Sequence, residues 1–108
     1  MDIDTFVVAY LHSPRERWWG MLQGISPAGI TVRGISIDSF DSWMRSVVRG
    51  EEEIAVSSVF FPMIRVERIY EDETTVGVPS HADRFRETTG VDPRTHLLGG
   101  RRDRKSVV

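Results

Sequence analysis

The stretch FVVAYLHSPRERWWGMLQGISPAGITVRGISI, residues 6–37, contains three apolar, β-branched runs separated by two turns. The runs cover residues 6–12, 15–25 and 29–37. The turns are Ser13-Pro14 and Ser26-Pro27-Ala28-Gly29, and their serine, proline and glycine residues are the ones that tight turns favour. Short connections of this kind join antiparallel neighbours. The stretch therefore predicts three consecutive antiparallel strands, and the second turn predicts a hairpin with a bulge at its glycine.

Two further strands are predicted at 56–61 and 63–71, with Pro62 at the corner between them. Proline has no backbone N–H for a sheet ladder, so it marks an edge or a bend. Gly20 and Gly24 permit sharp bending of the second strand or close approach of another element, and the apolar phase shifts by one residue across Gly34, which predicts a bulge or kink there. Bent strands are what a small closed barrel requires at its corners.

A helix is predicted between the third and fourth strands, over residues 38–49. Apolar residues recur there at helical spacing, as Phe40, Trp43, Met44, Val47 and Val48. Asp38 and Ser39 are suitable N-caps, and Gly50 stands where a helix ends. A second helix is predicted over 80–87, because Ser80 and Asp83 resemble a capping box.

The predicted fold is mainly β with added helices (β+α). Five antiparallel strands form a small barrel, one helix is inserted between strands 3 and 4, and another follows strand 5. Residues 1–90 form a single domain, and 91–108 are predicted to be a flexible C-terminal arm and basic tail.

Composition excludes several kinds of protein. The 108 residues include no cysteine, which excludes disulfides, cysteine-ligated zinc and thiol nucleophiles. No stretch approaches the roughly 20 apolar residues of a membrane span. The first residues, Met1-Asp2-Ile3-Asp4, are acidic and lack the basic region of a signal peptide. We expect a cytoplasmic protein without a membrane partner.

Charge is unevenly distributed along the chain. Residues 1–100 carry 10 basic and 15 acidic side chains, whereas the segment Arg101-Arg102-Asp103-Arg104-Lys105 is basic. Strong nucleic-acid binders carry a basic stripe on the folded domain, since phosphate neutralisation supplies most of their non-specific affinity. The acidic body therefore disfavours RNA as a partner.

Motifs for catalysis or metal binding are missing from the sequence. No phosphate-binding glycine loop, nucleophile elbow or HExxH motif occurs, and His12, His81 and His96 are far apart. Glu67 lies between Arg65 and Arg68, where a cross-strand ion pair is the simplest interpretation. We expect a protein that is not an enzyme and needs no metal or cofactor.

The barrel half of the sequence resembles the Sm-like family, which includes the bacterial Hfq type. The resemblance lies in Val8-Ala9-Tyr10-Leu11, residues 15–20, Leu22 and residues 30–32, and in the later run Ile64-Arg65-Val66-Glu67-Arg68-Ile69. It covers residues 7–71 at the level of fold pattern. The resemblance implies an SH3-like or Sm-like barrel, with RNA binding as a function to consider.

The first functional hypothesis is a non-catalytic interaction or scaffold module that self-associates. A barrel of this size cannot bury all of its apolar side chains, and exposed apolar patches mark interfaces. Candidate interface residues are Tyr10, Trp19, Trp43 and Phe60. Open strand edges offer a route to dimers or rings. The alternative for the aromatic residues is structural: Trp43 packs under the helix, and one of Trp18 and Trp19 fills the barrel while the other needs a cover.

Two further hypotheses stay open. An Sm-like RNA-binding regulator would use Arg15, Arg17, Arg33, Arg101 and Arg102, beside aromatic side chains that can stack bases. A small-ligand sensor is the other alternative, and no motif in the sequence addresses it.

Overall fold

The computed structural model describes residues 1–51 and 56–98. Its strands are β1 (Phe6–Leu11), β2 (Glu16–Ser26), β3 (Gly29–Ser36), β4 (Ser57–Pro62) and β5 (Val66–Glu71). Its α-helices are α1 (Phe40–Val48), α2 (His81–Thr89) and α3 (93–98), and two 3-10 turns cover Ile37–Ser39 and Met63–Arg65. The strands form one antiparallel sheet in the order β4-β3-β2-β1-β5. The predictions of five antiparallel strands, of a helix between the third and fourth, and of another after the fifth are confirmed.

Two hydrophobic clusters cover the two faces of the sheet. The first fills the space between the sheet and the helices, and its buried members are Phe6, Val8, Trp19, Met21, Ile35, Phe40, Trp43, Met44, Ala82, Phe85 and Leu97. The second consists of strand residues, with Val7, Ala9, Leu11, Leu22, Ile30, Val32 and Phe61 buried and Trp18, Val59, Val66 and Ile69 packed against them. Successive residues of a strand point to opposite faces, so these strands are apolar on both sides.

The change of apolar phase across Gly34 reflects this two-sided burial. Ile30 and Val32 belong to the second cluster and Ile35 to the first, while the β2–β3 register continues through Gly34. The bulge predicted at Gly34 is therefore wrong. The register shift lies between Leu22 and Gly24 on β2.

The hairpin between β2 and β3 is present, but its glycine has a different role. Ser26 pairs directly with Gly29, so the turn consists of Pro27 and Ala28 alone. The backbone φ of Gly29 is not positive, so the bulge expected at the hairpin glycine is not formed. A Cβ on Gly29 would lie 2.2 Å from the carbonyl oxygen of Phe61, which means that close packing by β4 requires glycine here.

Both predicted helices occur with shifted ends. The first begins as the 3-10 turn Ile37–Ser39, where the Ser36 hydroxyl accepts a hydrogen bond from the backbone N–H of Asp38. In α2, the Ser80 hydroxyl accepts from the N–H of Asp83, as the capping box predicts, and Gly90 ends the helix in the left-handed conformation with φ 75°.

Part of the segment predicted as a flexible arm, residues 91–108, is an α-helix. Residues 93–98 form α3 and are part of the core, because Leu97 is almost completely buried in the first cluster. The Nε of Arg33 on β3 donates to the carbonyl oxygen of Leu97 at 3.0 Å and fastens the helix to the sheet. The tail predicted beyond residue 98 lies outside the described residues.

None of the helices in the described ranges has the length and hydropathy of a membrane-spanning segment.

Candidate interaction surface

The two tryptophans predicted for the interface are fully buried within the chain itself. Trp19 stacks on Phe6 with 5.2 Å between ring centroids and meets Phe40 edge-on at 5.1 Å. Trp43 stacks on Phe85 of α2 at 4.7 Å. The helices cover Trp19, while Trp18 joins the second cluster against Phe61 at 5.5 Å. Neither Trp19 nor Trp43 therefore offers surface to a partner, and the structural alternative for the aromatic residues describes them instead.

The other two predicted interface residues lie near the surface at different places. Tyr10 is half-buried on β1 and contacts the Arg68 guanidinium, whose carbon lies 4.7 Å from the ring centroid. Phe60 is 53% exposed on β4. Phe60 shares its side of the sheet with Arg33 and Ser58, and it is left exposed on that side.

The arginines predicted to contact nucleic acid do not form one surface, because Arg33 lies apart from Arg15 and Arg17. Arg33 is buried beneath α3 and donates from Nη1 to the Ser58 hydroxyl at 3.3 Å, so it cannot reach an RNA strand. The strand pattern does not show that Arg33 is buried, because the helix that covers it lies in the segment predicted to be a flexible arm. Arg15 and Arg17 are exposed. Arg101 and Arg102 lie outside the described residues.

A surface with few polar groups runs along β4 and the turn that follows it. We call it the β4 edge surface, and it consists of β4 with Met63 and Ile64. No charged residue occurs in Ser57–Pro62, and Phe60, Met63 and Ile64 are 53%, 36% and 82% exposed. Among the described strands β4 is hydrogen-bonded only to β3, so no described strand pairs with its second edge. An open, uncharged edge strand is a template for pairing with another chain.

The opposite edge of the sheet has the charges that β4 lacks. Glu67, Arg68 and Glu71 are exposed along β5, which among the described strands pairs only with β1. Charged side chains on an edge strand oppose pairing, since the partner would have to bury them. The two edges therefore differ in their capacity to add a strand.

A groove lies where β1, β2 and β5 meet the 3-10 turn before α1. We call it the Tyr10 groove, and it has a volume of about 440 Å³. Its lining residues are Tyr10, Arg15, Glu16, Arg17, Asp38, Glu67 and Arg68. Sequence reasoning named Tyr10, Arg15 and Arg17 but did not bring them together or include Arg68, because the β1–β5 register that aligns Tyr10 with Arg68 is not visible in the sequence.

Glu16 forms an ion pair with Arg65 that has a structural role. Arg65 donates from Nη2 to Glu16 Oε2 at 2.8 Å and also bonds the carbonyl oxygens of His12 and Pro14. The hydrogen bond from Arg65 lowers the pKa of Glu16, burial opposes the change, and the Trp18 indole N–H supports it. Arg65 thus fastens the β1–β2 turn to the turn before β5.

A buried carboxylate joins the sheet to α2. The side chain of Asp72 is 3% exposed and accepts from the indole of Trp19 at 3.0 Å and from the backbone N–H groups of His81 and Ala82, both at 2.9 Å. Burial raises the pKa of Asp72, but hydrogen bonds from the His81 ring, from those two N–H groups and from Trp19 outweigh it and lower the pKa overall. Asp72 satisfies the first N–H groups of α2 and so has a structural role.

Comparison with known proteins gives no significant match: no protein-family model, no curated protein and no solved structure is significantly similar to this chain. Within residues 1–51 and 56–98, no three histidine, aspartate or glutamate side chains are grouped so that they could hold a metal ion.

Proposed function

We propose that this protein is a non-catalytic interaction module that self-associates by pairing β4 of one copy with β4 of a second copy. The observation that carries the proposal is the β4 edge surface, an open strand without charges whose Phe60 side chain is half exposed. Pairing at this edge would satisfy backbone groups and cover Phe60, Met63 and Ile64 together.

The second copy is the partner that matches this edge. If a strand with charged side chains, such as β5, paired with β4, those charges would be removed from solvent beside an uncharged strand, which is unfavourable. Another β4 brings no charge, and two identical antiparallel strands close a two-fold dimer. Strand addition of this kind derives affinity from main-chain hydrogen bonds and specificity from the side chains on either face.

We further propose that the sheet curls into a small SH3-like or Sm-like barrel, in which β4 and β5 approach each other through side chains without pairing, so that the β4 edge stays available to a second copy. In a flat sheet, four inter-strand steps of about 4.8 Å would separate β4 from β5 by about 19 Å. Val66 follows Pro62 by only four residues, which reach at most about 14 Å. The second cluster supports the curling, because its described members come from all five strands without a helix to cover them. Nuclear Overhauser contacts between Val59 and Ile69 would test this, and their absence would indicate an open sheet.

Sedimentation analysis of the full chain tests the self-association. We expect the wild type to form a dimer within a concentration range that extends to about 100 µM. We expect Phe60→Lys to be monomeric over the same range, because it places a charge at the shared surface. Val76→Lys is the matched control, because Val76 is fully exposed in the loop before α2. Circular dichroism of both variants checks that they fold.

Three results would contradict the proposal. They are a monomeric wild type over the whole concentration range, a dimer that Phe60→Lys leaves intact, and a ring of more than two copies. The last would exclude two-fold β4 pairing, since that contact is complete with two chains.

A further inference from the structure

Three side chains of the Tyr10 groove form a row across three adjacent strands. Tyr10 on β1 pairs with Arg17 on β2 and with Arg68 on β5. Directly paired residues of antiparallel strands project from the same face, so the tyrosine lies between two arginines. Arg15, from the turn before β2, also lines the groove.

Arg68 is held in position by two aromatic rings. Its guanidinium carbon lies 4.7 Å from the ring centroid of Tyr10 and 5.3 Å from that of Tyr70, and the two rings meet edge-on at 5.4 Å. Stacking occupies the flat face of a guanidinium and leaves the N–H groups around its edge available. Within the described part of the chain, the guanidinium groups of Arg68 and Arg15 donate no hydrogen bond to a protein acceptor.

The carboxylates around the groove do not neutralise these arginines. Glu16 is engaged by Arg65, which lies outside the lining. Asp38 is 3.7 Å from Arg17 and its side chain is 89% exposed, so it is a weak, solvated partner. Glu67 is the third carboxylate of the lining. When Glu16 is set aside, the three guanidinium groups of the groove outnumber the two remaining carboxylates, Asp38 and Glu67, although the rest of the body is acidic.

We propose that the Tyr10 groove binds a small organic anion through a carboxylate or phosphate group. The anion is held by the N–H edges of Arg68 and Arg15, because a guanidinium matches the oxygens of such groups in a bidentate way. The volume of about 440 Å³ is within the range of small-molecule sites. The site is distinct from the β4 edge surface, and the proposal does not depend on self-association.

The charge distribution favours a small anion over RNA. A polyanion would cross the surrounding acidic surface, where Glu71 and Glu73 are exposed beside Tyr70. A single anionic group needs only the local excess of positive charge. Glu67 limits this excess, so it is expected to weaken binding and to restrict the charge of the ligand.

Heteronuclear NMR titrations of the full chain with inorganic phosphate and, separately, with succinate test the proposal at constant ionic strength. We expect saturable shifts at Tyr10, Arg15 and Arg68 with at least one probe, and the comparison of the two distinguishes a phosphate from a carboxylate ligand. Arg68→Gln is expected to weaken binding about tenfold or more, as loss of a charged hydrogen-bond donor does. Glu67→Gln is expected to tighten it severalfold.

Arg45→Gln is the matched control. Arg45 is exposed on α1, outside the groove, and its substitution removes one positive charge, as Arg68→Gln does. Thermal unfolding of each variant confirms that it is folded. Non-saturating shifts spread over many arginines, or equal weakening by Arg45→Gln and Arg68→Gln, would overturn the proposal. It would also be overturned if single-stranded RNA displaced phosphate at lower concentration and Arg68→Gln abolished the RNA binding, since the site would then be an RNA site.

Discussion

Alanine at position 34 is expected to destabilise the fold strongly, because the added methyl group has no room. Gly34 pairs with Gly20 in the middle of β2 and β3. An ideal Cβ on Gly34 would lie 1.9 Å from the carbonyl oxygen of Trp19 and 2.6 Å from the Cα of Gly20. Both are backbone atoms, so no side-chain rotation relieves the overlap.

The size of the effect follows from the displacement that the methyl group requires. Non-bonded contacts relax at about 3.5 Å, so the strands must separate by about 1.5 Å at this point. Ladder hydrogen bonds of about 2.9 Å would then be broken, and the loss of two costs about 2 kcal/mol. Distorted packing on both faces adds about 1–3 kcal/mol. We expect a total of about 3–5 kcal/mol, a large part of the roughly 5–15 kcal/mol that stabilises a domain.

Urea titration followed by tryptophan fluorescence measures this change, since Trp19 and Trp43 are buried in the folded protein. Gly24→Ala is the control in the same hairpin, because its Cβ would meet only the Thr31 side chain, at 3.9 Å. We expect the stability of this variant to stay within about 1 kcal/mol of the wild type. The reasoning is refuted if Gly34→Ala lies within about 0.5 kcal/mol of wild type, or if Gly24→Ala loses as much.

Three further predictions concern the contacts that join the elements. The pKa of Asp72 is lowered by folding, so its contribution to stability is complete above its unfolded pKa of about 3.9 and is lost as pH falls through the lower folded value. Asp72→Asn should therefore cost about 2–3 kcal/mol at neutral pH and much less in acid, as urea titrations across pH will show; an equal cost at every pH would contradict this. Arg65→Met should return the pKa of Glu16 toward its ordinary value, measured by NMR titration of the carboxyl carbon, and an unchanged titration would mean that the ion pair is not formed in solution. Leu97→Ala should cost about 2–5 kcal/mol, whereas Val91→Ala at a partly exposed position should cost little, and a negligible loss for Leu97→Ala would show that α3 is not part of the core.

Local sequence signals predicted the strands and helices well, because their causes are local. Alternating apolar runs, the turn Ser26–Gly29, Pro62 at a corner and the capping residue Ser80 each act within a few residues of the chain. The errors occurred where one local pattern has two causes. The phase change at Gly34 was interpreted as a bulge, yet it arises because the sheet is covered on both faces.

The candidate sites depended on contacts that no local pattern contains. The absence of charge from Ser57–Pro62 is visible in the sequence, but the open edge of that strand follows from the strand order. The Tyr10 groove requires the β1–β5 register, which brings together residues 10 and 68. Residue types alone could not distinguish Arg68, whose guanidinium stacks on two rings at the groove, from Arg33, which is buried under α3.

The sequence by itself determined the class of this fold, five antiparallel strands with helices after the third and the fifth, because hydrophobic periodicity and turn residues act over short distances. Only the tertiary structure decided which apolar side chains remain at the surface. Trp19 and Trp43 are enclosed by helices of the same chain, and Phe60 is left exposed on an edge strand. Burial is a property of the elements that pack over a side chain, and these lie up to several dozen residues away along the chain.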